Sequence, residues 1–153
     1  MKIKGLISED FVNYKKPAMT IMYPHCTLKC GAEYCQNSSL VNEKEIDLEI
    51  EVIVNRYMSN PITESIVMQG LEPFDSWDDL IELVKQLRER CSDDIVIFTG
   101  YNKDELEKYI EQLKEYPNII VKFGRFIPDQ EKHYDEVLGI YLASDNQYAE
   151  KIS

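Results

Sequence analysis

The sequence predicts an α/β fold built on a mostly parallel sheet, and three observations predict it. Short, β-branched apolar runs alternate with stretches whose apolar residues recur every three or four positions, the pattern of strands joined by amphipathic helices in right-handed βαβ units. Each of the first four runs passes straight into a loop of unusual composition, and parallel sheets gather their ligand sites at the C-terminal ends of the strands. A length of 153 residues, with no repeat, heptad array or low-complexity segment, fits a single domain over residues 1–153 that buries roughly two-thirds of its unfolded surface.

Residues 1–16 are mixed and polar, with Phe11, Val12 and Tyr14 as their main apolar groups. They read as an irregular N-terminal arm with room for a short strand. Ala18 to Tyr23 (A-M-T-I-M-Y) has the length and branching of a buried strand, and Pro24 then denies the ladder a further donor. After the turn-rich Q-N-S-S, Ile46, Leu48, Ile50, Ile53, Val54 and Tyr57 lie among acids at helical spacing and predict a helix ending before Asn60-Pro61. Residues 65–69 (S-I-V-M-Q) form a second strand running into G-L-E-P-F-D, where Asp75 or Ser76 can cap the next helix. That helix presents Leu80, Ile81, Leu83, Val84 and Leu87 on one face, with Arg88 and Arg90 at its C-terminus. Residues 95–98 (I-V-I-F) are a third strand, followed by T-G-Y-N and a charged helix from about 103 to 115. Residues 119–123 (I-I-V-K-F) are a fourth, ending in G-R-F, and 139–143 (G-I-Y-L-A) a fifth with a brief polar helix after it.

A formal net charge of −11 argues against unaided binding to nucleic acid or an anionic membrane, both of which require clustered Lys and Arg. The N-terminus lacks a signal-like apolar region, and no apolar run approaches the ~18 residues needed to span a bilayer. The expected location is the cytoplasm.

Of the four cysteines, Cys26, Cys30 and Cys35 crowd the loop over residues 24–37, while Cys91 stands apart in a helical context and reads as a small hydrophobe. In a reducing compartment such a cluster points to metal or iron-sulfur ligation rather than disulfides. Two readings stay open on spacing. A structural zinc site would use His25 as fourth ligand, although structural zinc favours well-separated ligand pairs. A three-cysteine iron-sulfur cluster needs no fourth protein ligand and leaves one iron open. No Ser-His-Asp arrangement is evident, and His25 and His133 lie too far apart in the chain to suggest a pair.

These residues carry a resemblance. P-H-C-x-x-x-C followed by Tyr34-Cys35-Gln36-Asn37 resembles the cluster loop of radical S-adenosylmethionine enzymes, and G-L-E-P-F (70–74) is similar to that superfamily's G-G-E-P loop. F-T-G-Y (98–101), G-R-F (124–126) and the tail A-S-D-N-Q-Y (143–148) resemble the activating proteins of anaerobic ribonucleotide reductases, from about Lys16 onward. The chain differs from the family pattern in the four residues separating Cys30 from Cys35, in Leu71 for the second glycine, in Phe123 where an acid is common and in Gln36 where His is frequent.

The resemblance implies a partial (β/α) barrel with its site at the C-terminal strand ends. Cys26, Cys30 and Cys35 would hold a 4Fe-4S cluster, and S-adenosylmethionine would chelate the open iron. Glu72 and the backbone of Gly70, Leu71 and Pro73 would receive the methionine ammonium, Tyr34 would lie against adenine, Thr99 would meet ribose or adenine, and Arg125 the methionine carboxylate. No catalytic residue beyond the cluster ligands is implied, and Asn146 and Gln147 receive no role. The implied activity is glycyl-radical generation on the glycyl-radical subunit of an anaerobic (class III) ribonucleotide reductase; the alternatives are an activase or modifying enzyme for another glycyl-radical or peptide target, and a non-catalytic zinc- or cluster-stabilised binding module. Flavodoxin or ferredoxin would be the electron donor, meeting local basic spots such as Lys15-Lys16.

Overall fold

The computed structural model describes residues 1–27, 31, 33 and 35–153. In chain order it contains β1 (Lys2–Ile3), β2 (Gly5–Asp10), β3 (Ala18–Tyr23), β4 (Ile46–Asp47), α1 (Ile50–Met58), β5 (Ser65–Gly70), α2 (Trp77–Arg88), β6 (Asp94–Phe98), α3 (Glu107–Leu113), β7 (Ile119–Phe123), β8 (His133–Asp135), β9 (Ile140–Leu142) and β10 (Tyr148–Lys151). Short 3-10 turns occupy Ser38–Asn42, Pro73–Ser76 and Lys103–Leu106. No helix among the described residues is long and apolar enough to cross a membrane.

Six strands form one sheet in the order β10-β7-β6-β5-β3-β2. Its centre, β3, β5, β6 and β7, is parallel, and its two edges are antiparallel. Through the parallel strands the order in space follows the order in the chain, so each right-handed crossover returns its helix to the same face. Strand parity shows the result. Met19, Ile21, Ile66, Met68, Ile97 and Val121 join Ile53, Leu80, Leu83 and Ile110 from the three helices in one buried cluster. The alternate positions Ala18, Val67, Val96 and Ile120 face the other way and meet Tyr14, Leu138, Leu142 and Ala149. Helices therefore cover one face, while the arm and the β8-β9 hairpin cover much of the other.

Several local expectations are corrected. Half of the arm is strand, because β2 finds a ladder partner in β3 that its polar composition does not announce. Ile46 leaves the helix and pairs with Ile3 in a two-residue ribbon. The fifth strand, β9, lies outside the main sheet, paired with β8. The expected polar helix after it is instead β10, whose backbone pairs with β7. Neither Asp75 nor Ser76 caps α2 through its side chain. Glu72 caps the preceding turn by accepting the amide hydrogen of Phe74. Cys91 packs against the helical cluster at the end of α2.

Candidate active site

The parallel strands end at Tyr23, Gly70, Phe98 and Phe123, and the loops beyond them converge on a cavity of about 290 Å³. Its lining brings together Cys26, Cys35, Gly70, Leu71, Glu72, Thr99 and Arg125 from the residues singled out in the sequence. Pro73 is buried at the start of the turn behind it and does not line it. Cys30 and Tyr34 lie outside the described residues. His25 is exposed, and a ring nitrogen of His133 lies 3.1 Å from the Ser144 carbonyl.

The floor of the site depends on close strand approach. Gly70 has φ +105°, and a Cβ there would fall 2.6 Å from the Tyr23 nitrogen, so a side chain would have to part β3 from β5. The Asn37 amide donates to the Gly70 carbonyl at 2.8 Å, which ties the end of the cysteine loop to β5. On its other side, the Thr27 amide beside Cys26 donates to Asp75 at 2.9 Å, and the Tyr101 hydroxyl donates to the same carboxylate at 2.7 Å. The Tyr101 carbonyl then accepts from the Gly124 amide. The four strand-end loops are thus joined to one another as well as to their strands.

Glu72 is the buried acid of the cavity, 4% exposed. One carboxylate oxygen accepts from Phe74 N and Thr99 Oγ1 at 3.1 and 2.9 Å, and the other from Gly100 N at 2.9 Å. Burial pushes its pKa up to about 7 against the opposing pull of those donors. Lys122 is 8% exposed and also lines the cavity, its ammonium donating to the Gly124 carbonyl at 3.0 Å. Burial brings its pKa down to about 8. Arg125 is held in a bidentate pair with Glu105, at 3.0 and 3.1 Å, and lies over the Tyr101 ring. Burial, followed by hydrogen bonding to Asp75, pushes the Tyr101 phenol up to about 12.

The tail residues acquire a task here. The buried Gln147 side chain accepts from Ala143 N and Ser144 N and donates to the Gly124 carbonyl. The Asn146 amide donates to the Arg125 carbonyl at 2.7 Å. Together they fasten G-R-F to the chain end. Asp75, Lys122 and Gln147 are the site residues that sequence reasoning missed. Lys122 left a local signal, a charge within the otherwise apolar run I-I-V-K-F, and Gln147 stood in the tail motif without a role.

The donor set is soft. Two described thiols, both half-buried, share a cavity with a buried carboxyl and a buried amine, a combination suited to a thiolate-held metal or cluster beside a zwitterionic organic ligand. Comparison with known proteins agrees on the first part. The family described as a 4Fe-4S single cluster domain matches residues 18–148. The chain belongs to that family. Similar proteins are named anaerobic ribonucleoside-triphosphate reductase-activating proteins. That of Haemophilus influenzae is 26% identical over 127 residues, 79% of this chain and 81% of the relative. That of Escherichia coli K12 is 26% identical over 126 residues, 78% and 81% of the two chains. That of Salmonella typhimurium is 26% identical over 144 residues, 90% of each. The 4Fe-4S single cluster family match spans all four parallel strands and their loops.

Proposed function

We propose that this chain is a radical S-adenosylmethionine activase that generates a glycyl radical on the glycyl-radical subunit of an anaerobic (class III) ribonucleotide reductase. The observation that carries the proposal is one cavity in which Cys26, Cys35, the G-L-E-P backbone and Thr99 meet at the ends of parallel strands. The names of the similar activating proteins supply the target. On this reading the sheet is part of a (β/α) barrel, supported by helices that gather on one face.

Cys26, Cys30 and Cys35 would hold the 4Fe-4S cluster as thiolates, as the soft donors in the cavity suit it. When bound, the cluster and S-adenosylmethionine supply one-electron cleavage of a sulfonium and, from it, a radical able to take hydrogen from a backbone glycine. The protein's part is placement. Asn37 and Asp75 hold the two ends of the cysteine loop against β5 and the T-G-Y loop. Gly70, Leu71 and Glu72 present carbonyls and a carboxyl beside the thiols, acceptors fit for an ammonium group. Thr99 faces the same space and fixes Glu72. Flavodoxin or ferredoxin would deliver the electron, in the cytoplasm.

Anaerobic reconstitution tests the proposal. The expected product is a brown protein with about four irons per chain that, once reduced, releases methionine and 5′-deoxyadenosine and forms a glycyl radical on the reductase. Alanine at Cys26, Cys30 or Cys35 should abolish cluster retention. A colourless protein holding one zinc would refute it, and a reductase complex in which no glycyl radical forms would refute the activase assignment.

A further inference from the structure

Among the described residues, Lys122 is a buried cation without a counter-ion. Its position on β7 alternates with Val121 and Phe123, which face the helices, so its side chain lies on the opposite face, along the cavity wall. Its ammonium makes one hydrogen bond to those residues, to the Gly124 carbonyl, leaving N–H capacity for a further acceptor. Glu72 attracts it, but no N···O contact at or under 4.0 Å joins the two; Phe74 N, Thr99 and Gly100 N take three of the roughly four acceptor sites of the Glu72 carboxylate, which leaves one for a ligand ammonium. A buried ammonium held by one carbonyl is costly to keep charged. The cation expected for an anionic ligand group, Arg125, is already neutralised by Glu105.

We propose that Lys122 is the residue that binds the carboxylate of the amino-acid end of the ligand in this cavity. The inference rests on the proposed function, which supplies S-adenosylmethionine as that ligand. Glu72 and Lys122 then form a separated negative and positive pair, the complement of an α-amino acid's ammonium and carboxylate. Arg125 serves instead to hold its loop, through Glu105 and Tyr101.

Equilibrium binding to the reconstituted, unreduced protein tests the assignment, using S-adenosylmethionine and its decarboxylated analogue, which keeps the amine and loses the carboxylate. Lys122→Met removes the charge at similar length. Lys122→Gln keeps a neutral donor for Gly124 and guards against loss of the loop, with circular dichroism confirming that each variant is folded. Both variants should weaken S-adenosylmethionine by about tenfold to hundredfold, the range for a charged hydrogen bond, and leave the decarboxylated analogue within about threefold of wild type. Unchanged S-adenosylmethionine affinity in a folded variant would overturn the role of Lys122 and leave the activase reading standing. Equal weakening of both compounds would also overturn it, showing that Lys122 acts only through its loop. A wild-type protein that binds neither compound would overturn the activase reading and the inference with it.

Discussion

Gln147→Leu removes three hydrogen-bonding positions from a side chain only 4% exposed while nearly preserving its volume. The Gly124 carbonyl keeps the Lys122 ammonium as donor, so its loss is modest. The Ala143 and Ser144 amides lose their Gln147 acceptor, formerly at 3.1 and 3.2 Å, and Ser144 is fully buried. With a cost of about 1–3 kcal/mol for each orphaned buried group, the expected loss is about 3 kcal/mol. For a chain of this size that lowers the midpoint of thermal unfolding by about 6–12 °C. Far-UV circular dichroism melts measure it, and urea titrations should show a lower midpoint with unchanged slope, since the surface exposed on unfolding is the same. A Gln147→Leu variant melting within about 2 °C of wild type, an effect below about 1 kcal/mol, would refute the claim that Gln147 fastens the tail to G-R-F.

Three further outcomes follow from the same contacts. Gly70→Ala combines a φ of +105° with a Cβ 2.6 Å from the Tyr23 nitrogen, and should cost at least about 3 kcal/mol in urea unfolding; a cost below about 1 kcal/mol would show that β3 and β5 part easily. Glu72 holds its proton more tightly folded, with a pKa of about 7 against an ordinary 4.5, so the folded state binds more protons between those values and stability falls as pH rises through that window, by about 3 kcal/mol. Unfolding free energies at pH 5 and pH 8 should show this fall in wild type and a smaller one in Glu72→Gln. Asp75→Ala releases Thr27 N and the Tyr101 hydroxyl, which should cost about 1–2 kcal/mol and speed hydrogen exchange at the Thr27 amide; unchanged exchange would mean that Asp75 does not anchor the cysteine loop.

The parallel centre of the sheet was legible because burial on both faces demands continuous apolar runs, and A-M-T-I-M-Y, S-I-V-M-Q, I-V-I-F and I-I-V-K-F supply them. The helix faces were legible for the same reason. Leu80, Leu83, Val84 and Leu87 are buried at the spacing their sequence shows. Edge strands escape this logic. Tyr148–Lys151 has one ladder partner and a partly exposed pattern, so its four residues resemble a polar helix as well as a strand. Much of the cavity lining was legible because motifs that follow parallel strands must converge. Its internal wiring was not. Asp75 looked like a helix cap from its neighbours in the chain, yet its partners, Thr27 and Tyr101, lie far from it in sequence. The partner that holds Arg125 at the cavity wall, Glu105, lies twenty residues earlier and was equally invisible in the local sequence.

The linkage running from Thr27 through Asp75 and Tyr101 to Gly124 has a consequence for how this chain tolerates change. Loops that each follow their own strand are ordinarily exchangeable parts, and substitutions in separate ones combine additively. Here they share partners, so the first break in the linkage carries most of the damage and a second adds little. Sequence drift around Thr27, where the linkage enters the cysteine loop, is therefore constrained by positions in T-G-Y and G-R-F, and grafting one loop from a relative without the others should fail where grafting all of them succeeds.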